Sequence, residues 1–366
     1  MVFPKLTRKW RPETFQGNKT KKSYFEGWYI KLVSSDKKHS CAFIPGISLT
    51  NSKEIDKPEY IRNPAAEYIS NERISHSFIQ YINGNTGHTE YLSYPVDEFE
   101  SSYKGFYTSI AQNTFSLSGM SMRVSNNTIS FSGDIGFSNR TSYPSSFLSP
   151  GIMGWYSFVP FMECYHGIVS MYHTLQGKLN LPEGLVDFTG GHGYIEKDWG
   201  RSMPEAWIWA HTNSFKKTGV SLMLSVARIP WLGSSFPGFL CSFLIDGDIY
   251  TWATYTGAKI YAEKIPRTEN KEVHSAISKD SIHSDNFLSL SLSGKHGYIT
   301  ISSYIPNGHI LQAPNQGSMS RSIREALNAE LEVTFIDKSG NLKFHGSGKP
   351  AGLELVGDIY TLFNEV

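Results

Sequence analysis

Short runs in which apolar and polar residues alternate recur along the whole chain. In Phe115–Gly133, Phe115 and Leu117 alternate with Ser116 and Ser118, and Ile129 and Phe131 resume the alternation after Asn126-Asn127. Successive side chains of a strand point to opposite faces, so this stretch reads as a hairpin with one buried face. Residues 23–31 and 40–47 read as two strands, and a polar loop with Pro58 and Pro64 follows over 50–64. Residues 75–82 and 88–95, joined through Asn83-Gly84, form a second hairpin. Beyond residue 219 the pattern predicts strands at 219–229, 239–245, 249–255, 286–294, 297–305, 331–337 and 342–346. Only 319–329 has helical spacing, with Met319, Ile323, Ala326 and Leu327 on one stripe, so one amphipathic helix is expected there. Many short strands at close spacing, with no strand–helix alternation, predict an all-β antiparallel fold with few short helices.

Composition sharpens this picture. The 366 residues suit two domains, and aromatics make up 14% against 18% charged residues. The net charge of +1 gives no pull toward nucleic acid. Three widely spaced cysteines, Cys41, Cys164 and Cys241, with no CxxC pair, suit a reducing cytoplasm rather than a disulfide framework or a zinc cage. No signal peptide is expected from the first residues, and no apolar run is long enough for a membrane helix.

Residues 154–213 are the densest in chemistry. Four of the eight tryptophans lie there, Trp155, Trp199, Trp207 and Trp209, with Tyr156, Tyr165, Glu163, Glu183, Asp187, His166 and His173. At the centre is GGHGYIEKDWG, Gly190–Gly200. Read as a strand, it turns His192, Tyr194, Glu196 and Asp198 one way and Ile195, Lys197 and Trp199 the other. Two carboxylates on one buried face repel, and the usual result is that one keeps its proton and can act as a general acid. The plain alternative is a wet face, or pairing with Lys197 and Arg201. His192, Glu196 and Asp198 have no established metal-ligand spacing, and His166 and His173 fall on opposite faces unless a bulge intervenes. GGHG lacks the helix and lysine of a phosphate loop, and no GxSxG elbow is present. Neither a metal nor a nucleotide cofactor is expected.

The same residues resemble the tocopherol cyclase family. Phe25–Tyr29 (FEGWY), Gly154–Gly167, Gly190–Asn213 and the C-terminal series Ala313–Pro314, Gly317–Met319, Ile323–Glu325 and Gly352–Asp358 carry the resemblance. It implies two lipocalin-like β modules packed together, expected here as residues 1–185 and 186–366; because the motif-rich stretch straddles that boundary, the largest apolar pocket is expected at the junction. It also implies acid-initiated closure of a prenylated quinol to a chromanol, or a related protonation of an isoprenoid alkene. Plant members carry a chloroplast transit peptide, and none is expected here from the first residues. The expected catalytic residues are Asp198 as proton donor, with Glu196, His192 and Tyr194. The expected substrate wall is Trp28, Glu26, Trp155, Tyr156, Glu163, Tyr165, His166, Trp199, Trp207 and Trp209, since aromatic faces stabilise cations. The expected partner is a hydrophobic small molecule, reached through a peripheral membrane contact. A non-catalytic carrier of an isoprenoid or lipid, and a purely structural β protein, are the competing readings.

Overall fold

The computed structural model describes residues 8–50, 74–125, 129–160, 162–231, 234–266 and 286–363. The 51–64 part of the expected polar loop and the Asn126-Asn127 turn lie outside these residues. The protein is all-β, with two antiparallel sheets and short 3₁₀ turns as the helical elements among the described residues. The first sheet has twelve strands. In spatial order they are Thr89–Tyr94, His76–Asn83, Ser40–Leu49, Tyr24–Val33, His192–Gly200, Cys164–Leu181, Ser130–Thr141, Gly119–Ser125, Asn113–Ser116, Tyr107–Ile110 and Phe99–Ser101, with Gly184–Asp187 beside Cys164–Leu181. The second has ten: Asp248–Ala253, Ser234–Ile245, Ser221–Trp231, Trp207–Thr212, Leu342–Val356, Ser318–Asp337, Gly297–Tyr304, Phe287–Gly294 and Lys259–Lys264, with His309–Asn315 beside Ser318–Asp337.

Neighbours in space are mostly neighbours in sequence, as the alternation and turn residues predict. Asp246 and Gly247 join two strands with φ of 55° and 84°, the left-handed pair that matches the twist of a tight hairpin. Each sheet buries one face on its own apolar core. Trp28, Ile30, Leu32, Phe43, Phe115, Phe131 and Ile195 belong to the first core. Leu222, Leu224, Val226, Phe243, Trp252, Leu290 and Phe335 belong to the second. The all-β antiparallel architecture with few short helices expected from the sequence is therefore present.

The amphipathic helix expected at 319–329 is not. Ser318–Asp337 is a strand of 20 residues. From Ile323 onward its odd-numbered residues to Phe335 are buried, and all the even-numbered ones except Ala326 are not fully buried. The strand bonds to Gly297–Tyr304 on one side and Leu342–Val356 on the other. An isolated helix of three turns is marginal, so ladder bonds and burial of Leu331, Val333 and Phe335 decide the outcome over local propensity.

The chain forms two compact units, residues 1–203 with 309–323, and residues 204–308 with 324–366. Within the first unit the returning segment is clamped by polar contacts. Gln80 Nε2 donates to the Gln312 carbonyl at 2.9 Å, and Gln312 N–H donates back to Gln80 Oε1 at 2.8 Å. Gly317 sits at φ +86°, where a Cβ would come within 2.4 Å of the Leu49 carbonyl. Its own carbonyl accepts from Ser48 Oγ at 2.6 Å.

Candidate active site

The strand His192–Gly200 lies between Tyr24–Val33 and Cys164–Leu181. Register brings the three signature segments side by side. Gly27 and His166 flank Asp198, and Tyr29 and Ile168 flank Glu196. Parity then assigns the faces. Tyr194, Glu196, Asp198 and His166 point away from the core of the unit, while Lys197 and Trp199 share the other side with Glu26 and Trp28.

On the first face a compact cluster forms. His166 Nδ1 lies 2.9 Å from Asp198 Oδ1, and its Nε2 lies 3.6 Å from Glu196 Oε2. The Tyr194 hydroxyl donates to Glu196 Oε2 at 2.6 Å. Cys164 Sγ is 3.8 Å from the same Asp198 oxygen. Glu196 is buried, with its side chain 5% exposed, whereas Asp198 keeps 25%. The donor and ligand atoms of His166, Glu196 and Asp198 lie within 4.8 Å of one another, so they could hold either a shared proton or a metal ion. His166 lies in the regularly paired stretch from Cys164 to Ile168, and two bulges follow it, between Ile168 and Ser170 and between Ser170 and His173, whose effects on parity cancel. His173 therefore stays on the opposite face, against Phe137 at 4.5 Å. Sequence parity placed the acids correctly but could not show that His166, carried by another strand, lies between them.

The opposite face is saturated. Lys197 and Glu26 are fully buried and form an ion pair. The Lys197 ammonium donates to the Pro12 carbonyl at 2.9 Å and to that of Thr14, and lies 4.7 Å from the Trp28 ring and 4.8 Å from the Trp199 ring. Glu26 also accepts from the Gln16 and Gly17 amides and from the Tyr24 hydroxyl. Tyr165 stacks on Trp199 at 5.7 Å. Lys197 is thus no partner of Glu196 or Asp198, and Arg201 donates to Gln316 at 2.8 Å. The pairing alternative raised by the sequence gives way to His166.

The remaining expected residues are spread out. His192 stacks on Tyr172 at 5.5 Å. Trp155 and Tyr156 form an edge-on pair on the 3₁₀ turn Gly154–Phe158, with Trp155 exposed. The Glu163 carbonyl accepts from Arg201 N–H at 2.7 Å. Trp207 and Trp209 belong to the second unit, where Trp207 Nε1 donates to Glu354 at 2.6 Å.

Burial opposes the charge on His166, but the carboxylates of Asp198 and Glu196 outweigh it and hold the imidazole up at about 9. Burial, reinforced by Glu196, pushes the Tyr194 hydroxyl well above its usual range. The Cys164 thiol is pushed up in the same way and stays protonated, with Asp198 adding to the effect. His192 is held down to about 3 by burial and by Lys31 and Lys37. A histidine that titrates near 9 when folded and 6.5 when unfolded binds its proton more tightly in the fold. Its contribution to stability is complete below pH 6.5 and is lost as pH rises through about 9. The His166 ring resonances in an NMR titration should move near pH 9, and Asp198→Asn should bring the midpoint down. A midpoint at or below 6.5 in the wild type would contradict this electrostatic picture.

The fold and this cluster define an all-β protein in which an imidazole from Cys164–Leu181 lies between two carboxylates of His192–Gly200. The chain belongs to the tocopherol cyclase-like family, whose sequence profile matches residues 22–357. No curated protein sequence matches the chain. Among solved structures it is similar to a protein described as AttH from Nitrosomonas europaea, with TM-score 0.51, 11% identity, and 91% of this chain and 92% of that one covered. It is also similar to CghA with bound Sch210972, with TM-score 0.50, 11% identity, and 92% and 89% covered. Kievitone hydratase from Nectria haematococca aligns at TM-score 0.47 and 10% identity, with 95% and 92% covered. At these identities the likeness concerns the fold.

Proposed function

We propose that the protein catalyses acid-initiated addition across an isoprenoid double bond, most specifically closure of a prenylated quinol to a chromanol. The observation that carries the reading is the buried imidazole between two carboxylates, 2.9 Å from Asp198 and 3.6 Å from Glu196. Membership of the tocopherol cyclase-like family supports the reaction class. Asp198 is the more exposed acid and is the donor in this reading. His166 shares a proton with it, and Tyr194 holds Glu196 in place.

The proton shared by His166 Nδ1 and Asp198 Oδ1 passes through the Asp198 oxygen to the less substituted alkene carbon, and the π pair becomes the new C–H bond. The quinol oxygen closes on the tertiary carbon, and its proton returns to Asp198. The reaction is an isomerisation, so atoms and charge balance without a cofactor. Water in place of the quinol oxygen would give hydration from the same first step.

The test is incubation of the purified protein with a panel of prenylated hydroquinones in deuterated buffer, with and without a chelator. Chromanol carrying one deuterium at the protonated carbon, formed equally with chelator, is the expected result. Product that needs an added divalent ion would assign the cluster to a metal instead. A quinol that binds without turning over would favour the carrier reading.

A further inference from the structure

Between the strands Ser130–Thr141 and Cys164–Leu181 the chain makes a tight turn with apolar residues at its tip. Ser146 and Ser149 bond each other's backbones in both directions, at 3.0 and 3.1 Å. Phe147 and Leu148 therefore stand at the apex, 80% and 75% exposed. Tight turns favour Gly, Asn, Asp and Ser, so two large apolar side chains there are unexplained by the turn itself. The tip is also held in place. Trp10 Nε1 donates to the Ser146 and Phe147 carbonyls at 3.0 and 3.1 Å, and its ring stacks on Phe147 at 5.9 Å. Phe158 meets Trp10 edge-on at 5.4 Å and carries the Lys9 ammonium over its face at 5.3 Å. Phe158 and Trp155, on the adjoining 3₁₀ turn, are 37% and 49% exposed.

We propose that this surface, Phe147 and Leu148 flanked by Trp10, Trp155, Phe158 and Lys9, docks the protein on an anionic lipid bilayer. Exposed aromatics and leucine fit the headgroup–acyl boundary. Arg8, Lys9 and Arg11 surround Trp10 in sequence, and among the described residues Arg11 alone of the three has a carboxylate partner, Glu13 at 3.0 Å. Their positive charge complements anionic headgroups. The same segment adjoins the cluster. Met153 Sδ accepts from His166 N–H at 3.1 Å, and the Tyr165 hydroxyl donates to the Val159 carbonyl at 2.8 Å. A lipid-dissolved isoprenoid would therefore arrive beside the residues that act on it. That last link rests on the proposed function, and the docking itself does not.

The experiment is co-sedimentation of the full chain with vesicles of phosphatidylcholine alone and with about 30% phosphatidylglycerol, at low and high salt. The wild type should bind the anionic vesicles and release at high salt. The variant Phe147→Ser/Leu148→Ser should lose binding by at least about tenfold, because two largely exposed apolar side chains no longer enter the bilayer. Its turnover of a short-chain quinol dissolved in buffer should match the wild type, since neither residue lies in the cluster. A wild type that ignores both vesicles, or a variant that binds like the wild type, would overturn the proposal. So would sedimentation velocity showing that the wild type dimerises and the variant does not, which would make the surface a contact between copies. Vesicle binding that depends on Phe147 and Leu148, with no quinol turned over, would sink the proposed reaction and leave the docking surface standing.

Discussion

Replacing Asp198 with asparagine should lower turnover at least about a hundredfold while leaving ligand affinity near that of the wild type. The amide keeps the shape of the side chain and its place beside His166 Nδ1 but can no longer carry the proton shared with the imidazole to the alkene. General-acid steps contribute about 10²–10⁴-fold in rate, so even the lower bound is easily read in a single-turnover assay. Glu196→Gln should do smaller damage. Glu196 is the more buried acid and is tied to the Tyr194 hydroxyl at 2.6 Å, so its part is to hold charge and position. His166 does not replace the lost acid, because without the Asp198 carboxylate its imidazole loses the main charge that holds its proton. Binding is measured separately, by quenching of tryptophan fluorescence. Near wild-type turnover in Asp198→Asn would end the assignment. If Glu196→Gln were equally harmless, Glu163 would remain. Glu26 is consumed by its ion pair with Lys197, and Asp187 is a surface carboxylate paired with Lys178 at 3.1 Å.

The second large effect is on stability. Lys197→Met should destabilise the first unit by about 3–5 kcal/mol, the usual cost of leaving one member of a buried ion pair without its partner. Glu26 would keep its bonds from the Gln16 and Gly17 amides and the Tyr24 hydroxyl but lose its counter-charge. The Pro12 and Thr14 carbonyls would lose their donor. The double variant Lys197→Met/Glu26→Gln should be less damaged than the sum of the two single changes, because no lone charge remains. Denaturant unfolding followed by tryptophan fluorescence gives both numbers, since Trp28 and Trp199 flank the ammonium. An unchanged midpoint in Lys197→Met would show that this pair contributes nothing.

Much of this was legible in the sequence, and the reasons are local. Hairpins such as 239–255 follow from alternation and from Asp246-Gly247, and the acids at 196 and 198 sort to one face because a strand's period is two. What depends on register between distant strands was not legible. His166 reaches the acids only because the strand Cys164–Leu181 pairs with His192–Gly200 in one register, which sets His166 opposite Asp198 and which no local spacing rule signals. Parity already turned Lys197 away from Glu196 and Asp198, but that its partner would come from residue 26 depends on register between distant segments. The stripe at 319–329 misled because Met319, Ile323 and Leu327 repeat every four residues, a spacing compatible with both a helix stripe and one face of a strand.

The returning segment 309–323 has a consequence for how the protein is made. A ribosome builds the chain from its N-terminus, and domains ordinarily fold as units in that order. Here the first unit is incomplete when residue 203 emerges, because its last piece is encoded after the bulk of the second. Gln80 must wait for Gln312, and Ser48 for Gly317, until more than a hundred intervening residues have been synthesised. Until then the strands that hold the imidazole and both acids belong to an unfinished nascent chain. A gene cut at the 203/204 boundary would leave the first unit without these contacts, whereas one supplied with residues 309–323 on a separate peptide could have them restored.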